Sequence, residues 1–126
     1  MAEPEIERLL ARYCQRCDDG DWEAFAELFA VDARFVVMGR TSEGRAAIRA
    51  FLEGSMPPER RGKHLIAQSD VEVDASGDTA FAVTDFTFVA KVDGGYAITS
   101  AGRYHDDLRR DAGGEWRFAR REIRFL

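Results

Sequence analysis

From His64 to the end of the chain, the sequence reads almost entirely as period-two alternation. It is interrupted by Asp74 to Asp78, by Asp93-Gly94-Gly95 and by Asp111 to Gly114, all rich in the residues that hairpin turns favour. These interruptions predict four long strands, roughly His64–Asp74, Thr79–Val92, Tyr96–Arg110 and Glu115–Phe125. Such runs exceed the usual globular strand, so the sheet must curve strongly or carry bulges. A long, curved sheet needs a cover for its inner face, and the first half of the chain is the only source of one.

That half reads as helical. Ile6, Leu9, Leu10, Tyr13, Cys14 and Cys17 recur at three- and four-residue steps, the stripe of an amphipathic helix running from about Pro4 to Asp19. Asp21 is placed to cap a second helix with Ala24 or Phe25, Leu28 and Phe29 on its buried side. Asp32 to Met38 has the content of a strand, and Gly39 to Ser42 reads as a turn. Ser42 would then cap a third helix, Glu43 to Glu53, stopped by Gly54 and Pro57-Pro58. Helices followed by a meander of strands give an α+β fold, with the helices over a concave sheet and a cavity between. The 126 residues show no linker, repeat or composition shift, so one domain is expected.

The formal charge of −5 argues against a nucleic-acid or membrane-surface partner, both of which need a basic patch. No apolar run is long enough for a membrane span, and the acidic Met-Ala-Glu-Pro-Glu start is unlike a signal peptide, so a cytoplasmic location is expected. Cys14 and Cys17 have C-x-x-C spacing. They fall late in a helix, where no helix N-terminus lowers a thiol pKa, and no second pair completes a zinc site. They read as core residues, and no metal site is expected.

Asp18 continues the buried row Leu10, Cys14, and an inward carboxylate needs a partner. The bland alternative is a solvated carboxylate at a helix end. The chain has two histidines. His64, at the start of the first long strand, is the proton-transfer candidate, against a surface histidine among Arg60, Arg61 and Lys63. His105, beside Asp106 and Asp107, reads as solvated. By strict alternation, His64, Ile66 and Gln68 share one face, opposite Leu65, Ala67, Val71 and Val73. Phe86 and Phe88 share a face opposite Phe81 and Val83, and Tyr104 follows Gly102, a natural bend point. Near the C-terminus Arg120 and Arg124 fall with Trp116 and Phe118, and Arg121 with Ile123. Arg124 is the arginine expected to turn inward, the rest forming a solvated or subunit-facing ladder.

Five stretches in order carry a resemblance: Arg12-Tyr13 through Cys17-Asp18-Asp19-Gly20-Asp21-Trp22, Ser55-Met56-Pro57, His64, Gly102-Arg103-Tyr104, and Trp116-Arg117-Phe118 through Ile123-Arg124-Phe125. In these the chain resembles the SnoaL-like branch of the nuclear transport factor 2-like superfamily, more closely the scytalone dehydratase and bile-acid 7α-dehydratase group. The resemblance implies a cone-shaped, strongly curved mixed sheet (a cystatin-like α+β barrel) with helices closing an apolar pocket, and no cofactor. It also implies that Asp18 and His64 form a proton-transfer pair, that Tyr13 is a pocket tyrosine, and that Arg124 stands for a late arginine of the bile-acid enzyme. Tyr104, Phe86, Phe88 and Trp22 complete the substrate-binding candidates. The chain departs from scytalone dehydratase at Val89 or Ala90, where a second histidine would stand, and at Gly102 and Tyr104, where serine and asparagine would stand. The expected function is a cofactor-independent lyase, of dehydratase or dehydrohalogenase type, acting on a hydrophobic ring-containing molecule. An isomerase or cyclase with the same pocket, and a non-catalytic binding or oligomerisation module, are the alternatives. A homo-oligomer, dimer or trimer, is expected.

Overall fold

The computed structural model describes residues 2–126. Helix α1 (Ala2–Asp19) and the short α2 (Trp22–Ala26) lead into β1 (Phe29–Val37) and β2 (Arg40–Glu43). Then come α3 (Arg45–Ser55), a 3₁₀ turn at Pro58–Arg60, and the long strands β3 (Lys63–Val73), β4 (Thr79–Val92), β5 (Gly95–Arg110) and β6 (Trp116–Phe125). They form one six-stranded sheet in the order β2-β1-β6-β5-β4-β3. β1 runs parallel to β6, and every other pair is antiparallel. The result is a mixed, curved sheet with the N-terminal helices packed over it. No helix among the described residues is long and apolar enough to cross a membrane.

The stripe on α1 is the centre of the core: Ile6, Leu9, Leu10, Tyr13, Cys14 and Cys17 are all buried. The Tyr13 ring packs on Phe25, Tyr104 and Phe118 at centroid distances of 5.2, 5.6 and 5.8 Å. Asp21 caps α2 through its Oδ1, which accepts from the Ala24 N–H at 3.4 Å. Two expectations are corrected at the next junction. Residues 40–43 are not a turn but a strand, because Met38 and Gly39 both take positive φ (52° and 77°) and make a two-residue hairpin turn. With Ser42 held in that strand, α3 starts later, and its N-cap is Gly44 with no side-chain cap.

The long strands curve through bulges, and the bulges overturn the strict alternation. In β3 the register slips between Ile66 and Ser69, so Val71 and Val73 share the inner face with His64 and Ile66 rather than opposing them. In β6, Leu108 faces Phe118 while Asp107 faces Arg120, which leaves Ala119 as the extra residue. Past it the faces invert, and Arg121 and Ile123 turn inward where Phe118 had been. Leu65 and Phe81 stand exposed on the outer face.

Candidate functional site

Helix α1 ends in a Schellman arrangement: the Gly20 N–H donates to the Cys17 carbonyl at 3.1 Å and the Asp21 N–H to the Arg16 carbonyl at 2.9 Å. Gly20 takes φ +69°, and a β-carbon there would run into the Arg61 guanidinium. Gly20→Ala is expected to lower stability by about 1–2 kcal/mol, measured by denaturant unfolding. Truncating Arg61 to Ala in that background should return the steric part of the loss.

This stop leaves Asp18 in the last helical turn, with its side chain 3% exposed. A carboxylate here meets the negative end of the helix dipole and loses its water, two costs that call for a compensating group. His64 supplies it twice. Its backbone N–H donates to Oδ2 at 3.0 Å, and its ring Nδ1 lies 2.6 Å from Oδ1. With a carboxylate as the acceptor, Nδ1 is the donor in this contact, and among the described residues Nε2 makes no hydrogen bond. Gly62 makes the placement possible: a β-carbon there would collide with the Val89 carbonyl, so only glycine lets the start of β3 approach β4 this closely.

His64 forms part of the wall of a cavity of about 480 Å³. Tyr13, Phe86, Phe88 and Tyr104 also line it, with Phe35, Phe51, Leu52, Met56 and Ile123 completing most of the apolar surface. Burial holds the Tyr13 phenol well above its ordinary pKa, with Tyr104 adding to the rise and Arg121 opposing it. Tyr104 is raised in the same way, burial again leading. Both therefore remain neutral hydrogen-bond donors.

Two candidates lie elsewhere. Trp22 is in the core, edge-on to Phe25 at 5.3 Å, because its position at the start of α2 turns the ring beneath the helix rather than into the cavity. Arg124 points outward, with its side chain 60% exposed and its Nη2 donating to Glu122 at 3.2 Å. The Ala119 bulge put it there, and the same bulge buries Arg121. The Arg121 guanidinium is fully enclosed, its Cζ 3.5 Å from the Tyr104 ring centroid, 4.0 Å from Tyr13 and 4.6 Å from Phe118. Asp106, opposite it on β5, brings Oδ1 to 3.0 Å from Nε, off the line of a good hydrogen bond. Burial pushes Asp106 up to about 6, with Arg121 pulling the other way. Burial works against the Arg121 charge, but Asp106 and the two tyrosines outweigh it. Strict alternation concealed this pair. The signal was the change of parity between Phe118 and Ile123, which a bulge alone explains.

Cys14 and Cys17 are buried free thiols, pushed by burial up to about 11 and 12. His105 lies on the outer side in a shallow groove with Arg103 and Arg124, its pKa lowered by partial burial and then by Arg124.

Residues 2–122 match the profile of the SnoaL-like domain. Among solved structures, a protein of unknown function from Mycobacterium tuberculosis is 33% identical, the match covering 97% of this chain and 70% of that one with a TM-score of 0.88. A nuclear transport factor 2-like protein with a cystatin-like fold from Novosphingobium aromaticivorans is also 33% identical, over 98% of this chain and 80% of its own, with a TM-score of 0.86. A protein of the same organism assigned by inference as a scytalone dehydratase shares the fold at 24% identity, over 98% of this chain and 83% of its own, with a TM-score of 0.81. A comparison with curated proteins finds no match.

Proposed function

Because the chain belongs to the SnoaL-like family of the nuclear transport factor 2-like superfamily, we propose that its cavity takes a hydrophobic ring-containing molecule and that Asp18 and His64 abstract a proton from it. The reaction is a cofactor-independent elimination of dehydratase or dehydrohalogenase type. One observation carries this reading: a buried carboxylate lies 2.6 Å from Nδ1 of a histidine whose ring lines a largely apolar cavity. Nε2 takes the proton beside an electron-withdrawing group, and Asp18 stabilises the imidazolium. The C–H electron pair forms the double bond, and the hydroxide or halide leaves with its own pair. Tyr13, a neutral phenol at the cavity wall, donates a hydrogen bond to the charge building on that group. A departing hydroxide takes up the proton from His64 and leaves as water.

The same base returning its proton to another carbon would give an isomerase or cyclase. Incubation in D₂O with a panel of hydroxylated and halogenated ring ketones tests the shared first step. Exchange of the carbon-bound proton that disappears in His64→Gln supports abstraction, and loss of water or halide from the product selects elimination. Exchange that survives the substitution, or none across the panel, would retire the proposal. Exposed Leu65 and Phe81 support a homo-oligomer contact on the outer sheet face, which analytical ultracentrifugation would read.

A further inference from the structure

We propose that Arg40 is an oxyanion-binding residue at the mouth of the cavity, and that the ligand is a ring-containing carboxylic acid in its ionised form. The inference rests on the proton-abstraction reading for where the reacting carbon sits, and it adds the group that orients the molecule.

Ten of the residues lining the cavity are hydrocarbon or thioether side chains, and the polar exceptions are few. Tyr13, Tyr104, Ser55 and Ser100 bring hydroxyls, and His64 brings the base. Ser55 is already committed, its hydroxyl donating to the Phe51 carbonyl at 2.8 Å. Arg40 is the one permanently charged residue on the wall, and no carboxylate lines the cavity to neutralise it. Arg34, at the far end of the same hairpin, behaves differently: it is paired with Glu43 at 3.3 Å. Among the described residues Arg40 has no carboxylate within ion-pair distance, in a chain with 23 acidic residues. Its guanidinium instead lies over the Phe51 ring, 5.2 Å from the centroid. A guanidinium fork matches a planar oxyanion with two parallel hydrogen bonds.

The register supplies a ruler. Arg40 pairs with Val37, Val37 with Ile123, and Ile123 with Tyr104, one residue on each of four adjacent strands. At the usual strand spacing, Arg40 and Tyr104 are separated by about 14 Å of sheet. His64 lies farther still, on β3, the opposite edge from β2. Curvature brings both edges to one cavity, whose wall carries Arg40 and His64 together. A ligand spanning them holds its acid at Arg40, its ring against Phe51 and Phe88, and its reacting carbon at His64. Arg124, the arginine expected from the sequence to turn inward, is instead sent to solvent by the β6 bulge.

The test is binding, which needs no turnover. Calorimetric titration with 2-naphthoate and with 2-naphthamide compares two probes of one shape, one charged and one neutral. Wild type is expected to bind the acid about tenfold more tightly than the amide at low salt, with the preference shrinking at high ionic strength. Arg40→Gln is expected to lose the preference while holding the amide within twofold, and Arg40→Lys to keep part of it. Equal binding of the two probes by wild type, or an undiminished preference in Arg40→Gln, would overturn the assignment and leave the proton-abstraction reading untouched. Failure of wild type to bind either probe would overturn it together with the ligand cavity itself.

Discussion

His64→Gln is expected to lower turnover of a substrate by about 10²–10⁴-fold, the usual contribution of a positioned general base. The unfolding midpoint should move far less. Gln keeps the backbone N–H that donates to Asp18 Oδ2, while its longer side chain carries the amide out toward the site of Nε2 rather than Nδ1. What it lacks is a basic nitrogen facing the cavity. Asp18→Asn should fall by a comparable factor for a different reason: the amide can still accept from the ring, but it does not compensate the imidazolium charge once the proton has moved. Steady-state kinetics on both variants, with far-UV circular dichroism to confirm folding, checks the pair. A His64→Gln variant retaining wild-type kcat would remove His64 from the proposed mechanism.

The second large effect concerns stability, and it is asymmetric. Asp106→Leu strands a buried guanidinium that has no neutral form at accessible pH, and the expected cost is about 3–5 kcal/mol. Arg121→Met is expected to cost less, because the abandoned Asp106 takes up a proton instead. The double variant should recover most of the loss, an apolar pair of similar volume replacing an ion pair whose desolvation is never fully repaid. The acid also leaves a pH signature. Its carboxyl is raised from 3.8 to about 6 in the folded protein. A raised carboxyl binds its proton more tightly in the folded state. Its contribution to stability is therefore complete below about pH 4 and is lost as pH rises through about 6. Chemical denaturation between pH 4 and 8 should show this fall in wild type and its absence in Asp106→Asn. In Arg121→Met the fall should extend to higher pH, since the cation that pulls the carboxyl down is gone. Matching pH profiles in wild type and Asp106→Asn would show that the carboxyl is not held up by burial.

The four long strands were legible because alternation and Asp-Gly turns are local signals, and their limits in the structure lie within a residue or two of those read from the sequence. Asp18 and His64 were legible too, as a helix-row carboxylate and a histidine at the head of a strand, now 2.6 Å apart. The inner end of the site was not. Which arginine of Arg120, Arg121 and Arg124 turns inward depends on one unpaired residue, Ala119, and a single-residue slip exchanges every side chain beyond it between faces. The mouth was hidden by Met38, which adopts a left-handed conformation that side-chain preferences disfavour, and so a strand bearing Arg40 read as a turn. Trp22 was misplaced because a helix start fixes a residue's position but not which side of the helix its ring falls on.

The double grip of Asp18 on His64 joins the end of the first helix to the edge strand of the sheet, and so the carboxylate that holds the imidazole is also a latch on the chamber wall. Any fluctuation that parts helix from strand at this point undoes both bonds together, admitting water and releasing the imidazole in one event. The imidazole keeps its orientation only while the chamber is shut, and loses it at the moment bulk solvent reaches it.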